Sequence, residues 1–236
     1  MNIAIHSLLE GAARATGTVA VIDVFRAFTT AAVAFANGAS RIVMVSSVDE
    51  ALSLRDAGIG QICMGEVRGR APDEFDFGNS PFEISEVDFT GKTIIQRTSA
   101  GTQGIVAAAS RADRLYAASL VTADATINAM LAGEPEQISI IAMGGEGLTR
   151  TDEDEVCAIH LRNLLEGRPG DRQAVQRLLL AGAEVARFHD PAQPHLHPED
   201  VEIALDIDRY DFAIWVQFED GRPVGRMEKQ AMNQKR

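Results

Sequence analysis

Short apolar runs alternate with stretches of helical periodicity through the first two-thirds of this chain. Residues 2–6 and 18–24 read as strands, the second buried. Residues 27–37 read as an Ala-rich helix closed by Asn37-Gly38. Arg41–Val45 is the next strand. A helix follows with Ser47 as N-cap and Glu50 three residues on, and Gly58 and Gly60 end it. Gln61–Met64, Thr93–Gln96, Arg114–Ala117 or Ala118, and Gln137–Met143 are further strands. Ala100–Ser110, Thr122–Leu131 and a run from the acidic Asp152–Glu155 through Leu165 are further helices. Acids in that first turn suit the positive end of the helix dipole.

Strands alternating with helices predict an α/β fold, a three-layer α/β/α arrangement around a mostly parallel or mixed sheet. Two regions break the rhythm. Residues 65–91 carry Gly65, Gly69, Pro72, Gly78, Pro81 and Gly91 with little periodicity, and long irregular segments in compact domains tend to be functional. From about residue 171 the chain is less regular. Residues 171–188 read as one amphipathic helix and Phe188–Pro198 as a His- and Pro-rich linker. Val201–Ile207 and Phe212–Phe218 read as two strands, or a strand and a helix. The whole, 1–236, reads as a single α/β catalytic domain.

Composition narrows the partners. With 46% hydrophobic and 24% charged residues the chain is globular. No apolar run reaches the roughly 20 residues that span a bilayer. The N-terminal residues lack a secretory pattern, so a cytoplasmic location is expected. A net charge of −12 argues against nucleic acid but admits a small anion held by a few arginines and N–H groups. Cys63 and Cys157 form no CxxC pair and read as core thiols. Exposed sheet edges or the apolar tail would allow a homo-oligomer.

The chemistry concentrates where apolar runs stop. Val19–Ile22 ends at Asp23, with Arg26 three residues on, at the strand-to-helix edge where open α/β sheets bind ligands. Thr98-Ser-Ala-Gly-Thr-Gln-Gly104 also joins a strand to a helix, just after Arg97. Its small residues, the hydroxyls of Thr98, Ser99 and Thr102, and free N–H groups around Gly101 could cradle an anion or simply cap a helix. Asp23, Glu66 and Asp154 lie near three strand ends or helix starts, a set that suits Mg²⁺ if they converge. Glu146, Asp152 and Glu153 are secondary candidates. Phe75–Pro81 offers Asn79 and Ser80 in a turn, as ligand donors or as an Asx turn. His189, His195 and His197 read as a solvated cluster. No GxxxxGK[ST] or complete dinucleotide fingerprint is present. Phe25 occupies the second position after Asp23, where a DxDxT phosphatase needs aspartate. Glu66 would sit in the anion cradle of a nucleophile at Cys63 and repel phosphate.

Taken in order, VIDVFRAFTTAA, MGEVRG, FDFGNSP, TSAGT and EDEVCA resemble the 2-phosphosulfolactate phosphatase family over about residues 18–160, with a continuation in VEIALDIDRYDFAIWV. The resemblance implies an α/β/α fold and Mg²⁺-dependent hydrolysis of 2-phosphosulfolactate to sulfolactate and phosphate, a step of coenzyme M synthesis in methanogens. Asp23 and Arg26 match the first family block, Gly65 and Glu66 the second, Gly78–Pro81 the third, and Glu153 and Asp154 the acidic pair. Val67 stands where the family commonly has Arg, followed here by Arg68, and Ala100 where it often has Asn.

The expected mechanism places Mg²⁺ on Asp23 with Glu66 or Asp154. Metal, Arg26 and loop N–H groups stabilise the transferring phosphoryl group, and Arg68, Arg97 or Asn79 pair with the carboxylate or sulfonate. Asp23 serves as nucleophile or as metal ligand only. The partner is thus a small anionic phosphorylated substrate, with no nucleic acid and no membrane. Rival readings are a phosphatase for another small phosphorylated hydroxy acid, and a non-catalytic protein that binds a phosphorylated metabolite.

Overall fold

The computed structural model describes residues 1–168 and 170–229. Strands β1 (Asn2–Ser7), β2 (Gly17–Ile22), β3 (Arg41–Val45), β4 (Ile62–Gly65), β5 (Thr93–Arg97), β6 (Ala112–Ala118), β7 (Gln137–Ala142), β8 (Phe212–Glu219) and β9 (Arg222–Lys229) form one mixed sheet in the order β1-β7-β2-β6-β8-β9-β3-β5-β4. β1, β7, β2 and β6 are parallel, as are β3, β5 and β4. The hairpin β8–β9 bridges the two blocks through antiparallel pairings at every step, so the blocks run in opposite senses.

Helices α1 (Leu8–Arg14), α2 (Ala27–Ala36), α3 (Val48–Asp56), α4 (Gly101–Ala108), α5 (Ala123–Leu131), α6 (Asp152–Leu165), α7 (Arg172–Leu180), α8 (Ala183–Arg187) and α9 (Pro198–Ala204) flank the sheet. β2 shows why both faces must be covered. Val19 and Val21 enter the core beneath α2 and α4, while Ala20 and Ile22 enter the one shared with α5 and α6. α2 is apolar on all sides and buried from Ala27 to Phe35. Ser47 caps α3 by accepting from the Glu50 N–H at 3.1 Å.

The tail departs from expectation. Residues 171–188 form two helices, α7 and α8, divided at Gly182, whose N–H returns to the Leu179 carbonyl at 2.9 Å. For 201–207 and 212–218 the second of the two expected readings holds, a helix and a strand, since α9 runs through Ala204. Pro198 starts α9 with a reciprocal cap between His197 and Asp200, which holds that segment helical. Phe212–Phe218 lies within β8. Its hairpin partner follows from Asp220-Gly221, both at positive φ, the turn chemistry that joins antiparallel strands through two residues. No helix among the described residues is long and apolar enough to cross a membrane.

Candidate active site

Four strand ends supply the site: Asp23 follows β2, Glu66 follows β4, Ser99 follows β5 and Gly144 follows β7. β2 and β7 belong to one parallel block, and β4 and β5 to the other. The blocks meet at α4, which follows β5 of one block and packs against β2 and β6 of the other. The junction is direct, since the Gly101 N–H at the start of α4 donates to Asp23 Oδ2 at 2.8 Å. Only glycine fits there: a Cβ would stand 2.8 Å from that oxygen and 2.9 Å from the Ala27 Cβ.

Backbone donors aim each carboxylate. Asp23 Oδ1 accepts from the Ala27 N–H at 2.9 Å. Glu66 accepts from the Ser99 N–H on Oε1, and from the Gly69 N–H at 2.7 Å and the Ser99 hydroxyl at 3.0 Å on Oε2. Asp154 accepts from the Val24 N–H and the Gly144 N–H, both at 2.8 Å, and so staples the β2 end to the β7 end. Each acceptor oxygen of Asp23 keeps a second lone pair.

A cavity of about 350 Å³ opens over this junction. Of the residues expected at the site, Asp23, Arg26, Glu66, Arg68, Asn79 and Ser99 line it. The others stand one layer back, each for a visible reason. Arg97 donates to the Glu66 carbonyl at 2.7 Å and the Ser99 hydroxyl at 3.2 Å. The Thr98 and Thr102 hydroxyls bond each other's backbone N–H groups and close the α4 start. Gly101 gives its N–H to Asp23. The Ser80 hydroxyl donates to Asp200 at 2.6 Å and accepts from the Glu83 N–H. Asp154 uses both oxygens on backbone. Asn79 faces the cavity with its Oδ1 buried and unpartnered.

The opposite wall comes from the tail, which the strand pattern did not flag. Glu184, Arg187, Phe188 and Leu196 line the cavity. The 188–198 stretch, expected as a linker, thus contributes Phe188 and Leu196 to the cavity wall, and its His195 carbonyl accepts from Arg26 Nη1 at 3.0 Å. Arg26 is only 4% exposed, lies 5.8 Å from the Phe188 ring centroid, and pairs with Asp200 at 2.7 Å. Arg187 pairs with Glu184 at 2.6 Å, and Arg68 with Glu146 at 3.7 Å. Helical spacing between Glu184 and Arg187 was the one signal for the tail pair available in the text.

Crowded acids in a buried site resist ionisation. Burial pushes Asp23 from the ordinary 3.8 up to about 6, and the nearby Glu66 adds to it against the two N–H bonds and Arg26. Burial likewise raises Asp154 well above the usual range, with Glu153 and Asp23 adding to the effect. Burial pushes Glu153 up to about 7, Glu184 and Asp23 contributing in the same direction. Burial also raises the Cys157 thiol strongly, which leaves it unreactive.

Among the described residues no three His, Cys, Asp or Glu side chains form a chelating group by themselves. Mg²⁺ asks for less: one or two carboxylates, with waters and ligand phosphate oxygens completing its shell. Asp23 and Glu66, both facing the cavity and repelling each other, fit that demand.

A family model described as 2-phosphosulpholactate phosphatase matches residues 3–214. The chain is 34% identical over 188 residues to a probable 2-phosphosulfolactate phosphatase of Bacillus subtilis, covering 77% of this chain and 78% of that protein. It is 28% identical over 191 residues to a protein of the same description from Thermoplasma volcanium, covering 81% and 85%. A third such protein, from Thermotoga petrophila, is 34% identical over 154 residues, covering 65% of each chain.

Proposed function

This chain belongs to the 2-phosphosulpholactate phosphatase family, and from that premise we propose that it hydrolyses 2-phosphosulfolactate to sulfolactate and phosphate with Mg²⁺ as cofactor. The observation that carries the reading is one cavity holding two backbone-aimed carboxylates, Asp23 and Glu66, beside the guanidinium of Arg26. A cytoplasmic location and a place in coenzyme M synthesis belong to the same proposal.

Asp23 and Glu66 would hold the cation, which would supply positive charge for the phosphoryl oxygens and acidify water. Among the described residues Arg26 makes its hydrogen bonds from Nη1, so Nε and Nη2 are the donors left for the developing phosphoryl charge. Asp23 must be ionised to act, and Arg26 and its two N–H donors favour that form. Phe25, Phe188 and Leu196 border the cavity with apolar surface and limit water around the reacting ester. Arg68 and Arg187, each paired with a glutamate at the wall, take the carboxylate and sulfonate.

The test is phosphate release from 2-phosphosulfolactate by the purified protein. Release that stops with EDTA and resumes with Mg²⁺ is expected; metal-independent release would remove the role given to the two acids. A second reading, a phosphatase for another small phosphorylated hydroxy acid, draws on Ala100, which lines the cavity at the position where the family pattern implied by the resemblance has Asn. Comparing kcat/KM across a panel of phospho-acids decides it.

A further inference from the structure

The tail is tied to the strand ends through one fully buried carboxylate, Asp200 in α9. Its Oδ2 accepts from Arg26 Nη1 at 2.7 Å and from the His197 N–H at 3.4 Å. Its Oδ1 accepts from the Ser80 hydroxyl at 2.6 Å and from the Phe82 N–H at 3.1 Å. Three stretches far apart in the chain, the Asp23–Arg26 turn, the Gly78–Phe82 turn and the tail, thus converge on the two oxygens of one side chain.

We infer that Asp200 is the positioning residue that aims the Arg26 guanidinium into the cavity, and that the hydroxyl of Ser80 serves it by holding Asp200 and not by touching substrate. The inference rests on the phosphatase reading only for the name of the reaction. Arg26 lines the cavity but Asp200 does not. A guanidinium that is almost fully buried needs a carboxylate partner, and without one it moves or draws in water. With both Nη1 hydrogens committed to Asp200 and the His195 carbonyl, the plane of the fork is fixed, and Nε and Nη2 are the donors left for a ligand in the cavity that Arg26 lines. Asparagine is a poor substitute here. Its amide nitrogen would face either Arg26 and the His197 N–H, or the Phe82 N–H, and these are all donors.

A double-mutant cycle with Arg26→Gln tests this. Asp200→Asn is expected to lower kcat by ~10- to 100-fold, the scale set by misplacing a catalytic group by about an ångström, with a smaller change in KM. Adding Asp200→Asn to Arg26→Gln should cost nothing further, because the arginine it aims is gone. Ser80→Ala, a milder change, should lose a few-fold in kcat that likewise vanishes in the Arg26→Gln background. Losses that multiply across the two sites, or wild-type kcat in folded Asp200→Asn, would overturn the inference. So would Asp200→Asn and Ser80→Ala acting only on thermal stability. The same cycle read as affinity for inorganic phosphate by calorimetry decides the matter separately. If the wild type turns over no 2-phosphosulfolactate, the phosphatase reading fails, while coupled losses of phosphate affinity still support Asp200 and additive losses still reject it.

Discussion

The strand-end wall of the cavity holds its two carboxylates mainly through backbone N–H donors, whereas the tail wall holds its charged groups through side-chain pairs and packing. Asp23 and Glu66 are fixed by the N–H groups of Ala27, Gly101, Ser99 and Gly69. Backbone within a sheet edge or a helix start has little freedom, so those carboxylates keep their aim when the ligand changes. Across the cavity, Arg187 leans on Glu184 and is half-exposed, and Phe188 packs against Phe25 at 5.2 Å between ring centroids. Such pairs rearrange at small expense. Rigid placement suits the reacting phosphoryl group, and adjustable placement suits the far end of a substrate.

Asp23→Asn probes the first wall and should give the largest effect, a fall in kcat of at least about 10²-fold, the scale of lost transition-state charge stabilisation. Near-wild-type turnover would deny that wall its chemical role. Arg187→Gln probes the second. KM for 2-phosphosulfolactate should rise roughly 10-fold with kcat little changed, the signature of lost uniform binding. A fall in kcat with unchanged KM would mean that the two walls are not divided in this way.

The smallest effect is thermodynamic. Without divalent cation, the folded protein holds a proton on Asp23 up to about pH 6, whereas the unfolded chain releases it near 3.8. The folded state then binds more protons in that window, so the contribution of Asp23 to stability declines as pH rises through it. Relative to Asp23→Asn, metal-free wild type should therefore lose a few °C of Tm between about pH 4 and pH 7. Mg²⁺ should restore it at pH 7 and do little at pH 4. A difference that grows in favour of wild type as pH rises would contradict the burial argument.

The parallel strands, and the carboxylates at their ends, were legible because both are local properties. An apolar run, the acid that stops it and the small residues that open the next helix occupy a few consecutive positions. Asp23, Glu66 and Ser99 were found that way, and all line the cavity. Arg97, Thr98, Thr102 and Ser80 come from the same segments and look equally suitable, yet their polar atoms turn to neighbouring backbone or side chains. Residue type does not say which way a side chain faces at a turn.

Local pattern thus settled that this is an alternating α/β chain with acids and an arginine at its strand ends, since periodicity and capping act over one or two turns of chain. Folding settled the rest. Which blocks of the sheet oppose each other depends on a hairpin formed near the end of the described chain. Which arginine is aimed depends on Asp200, 174 positions from Arg26. Contacts at that separation are products of packing, and no short window of residues encodes them.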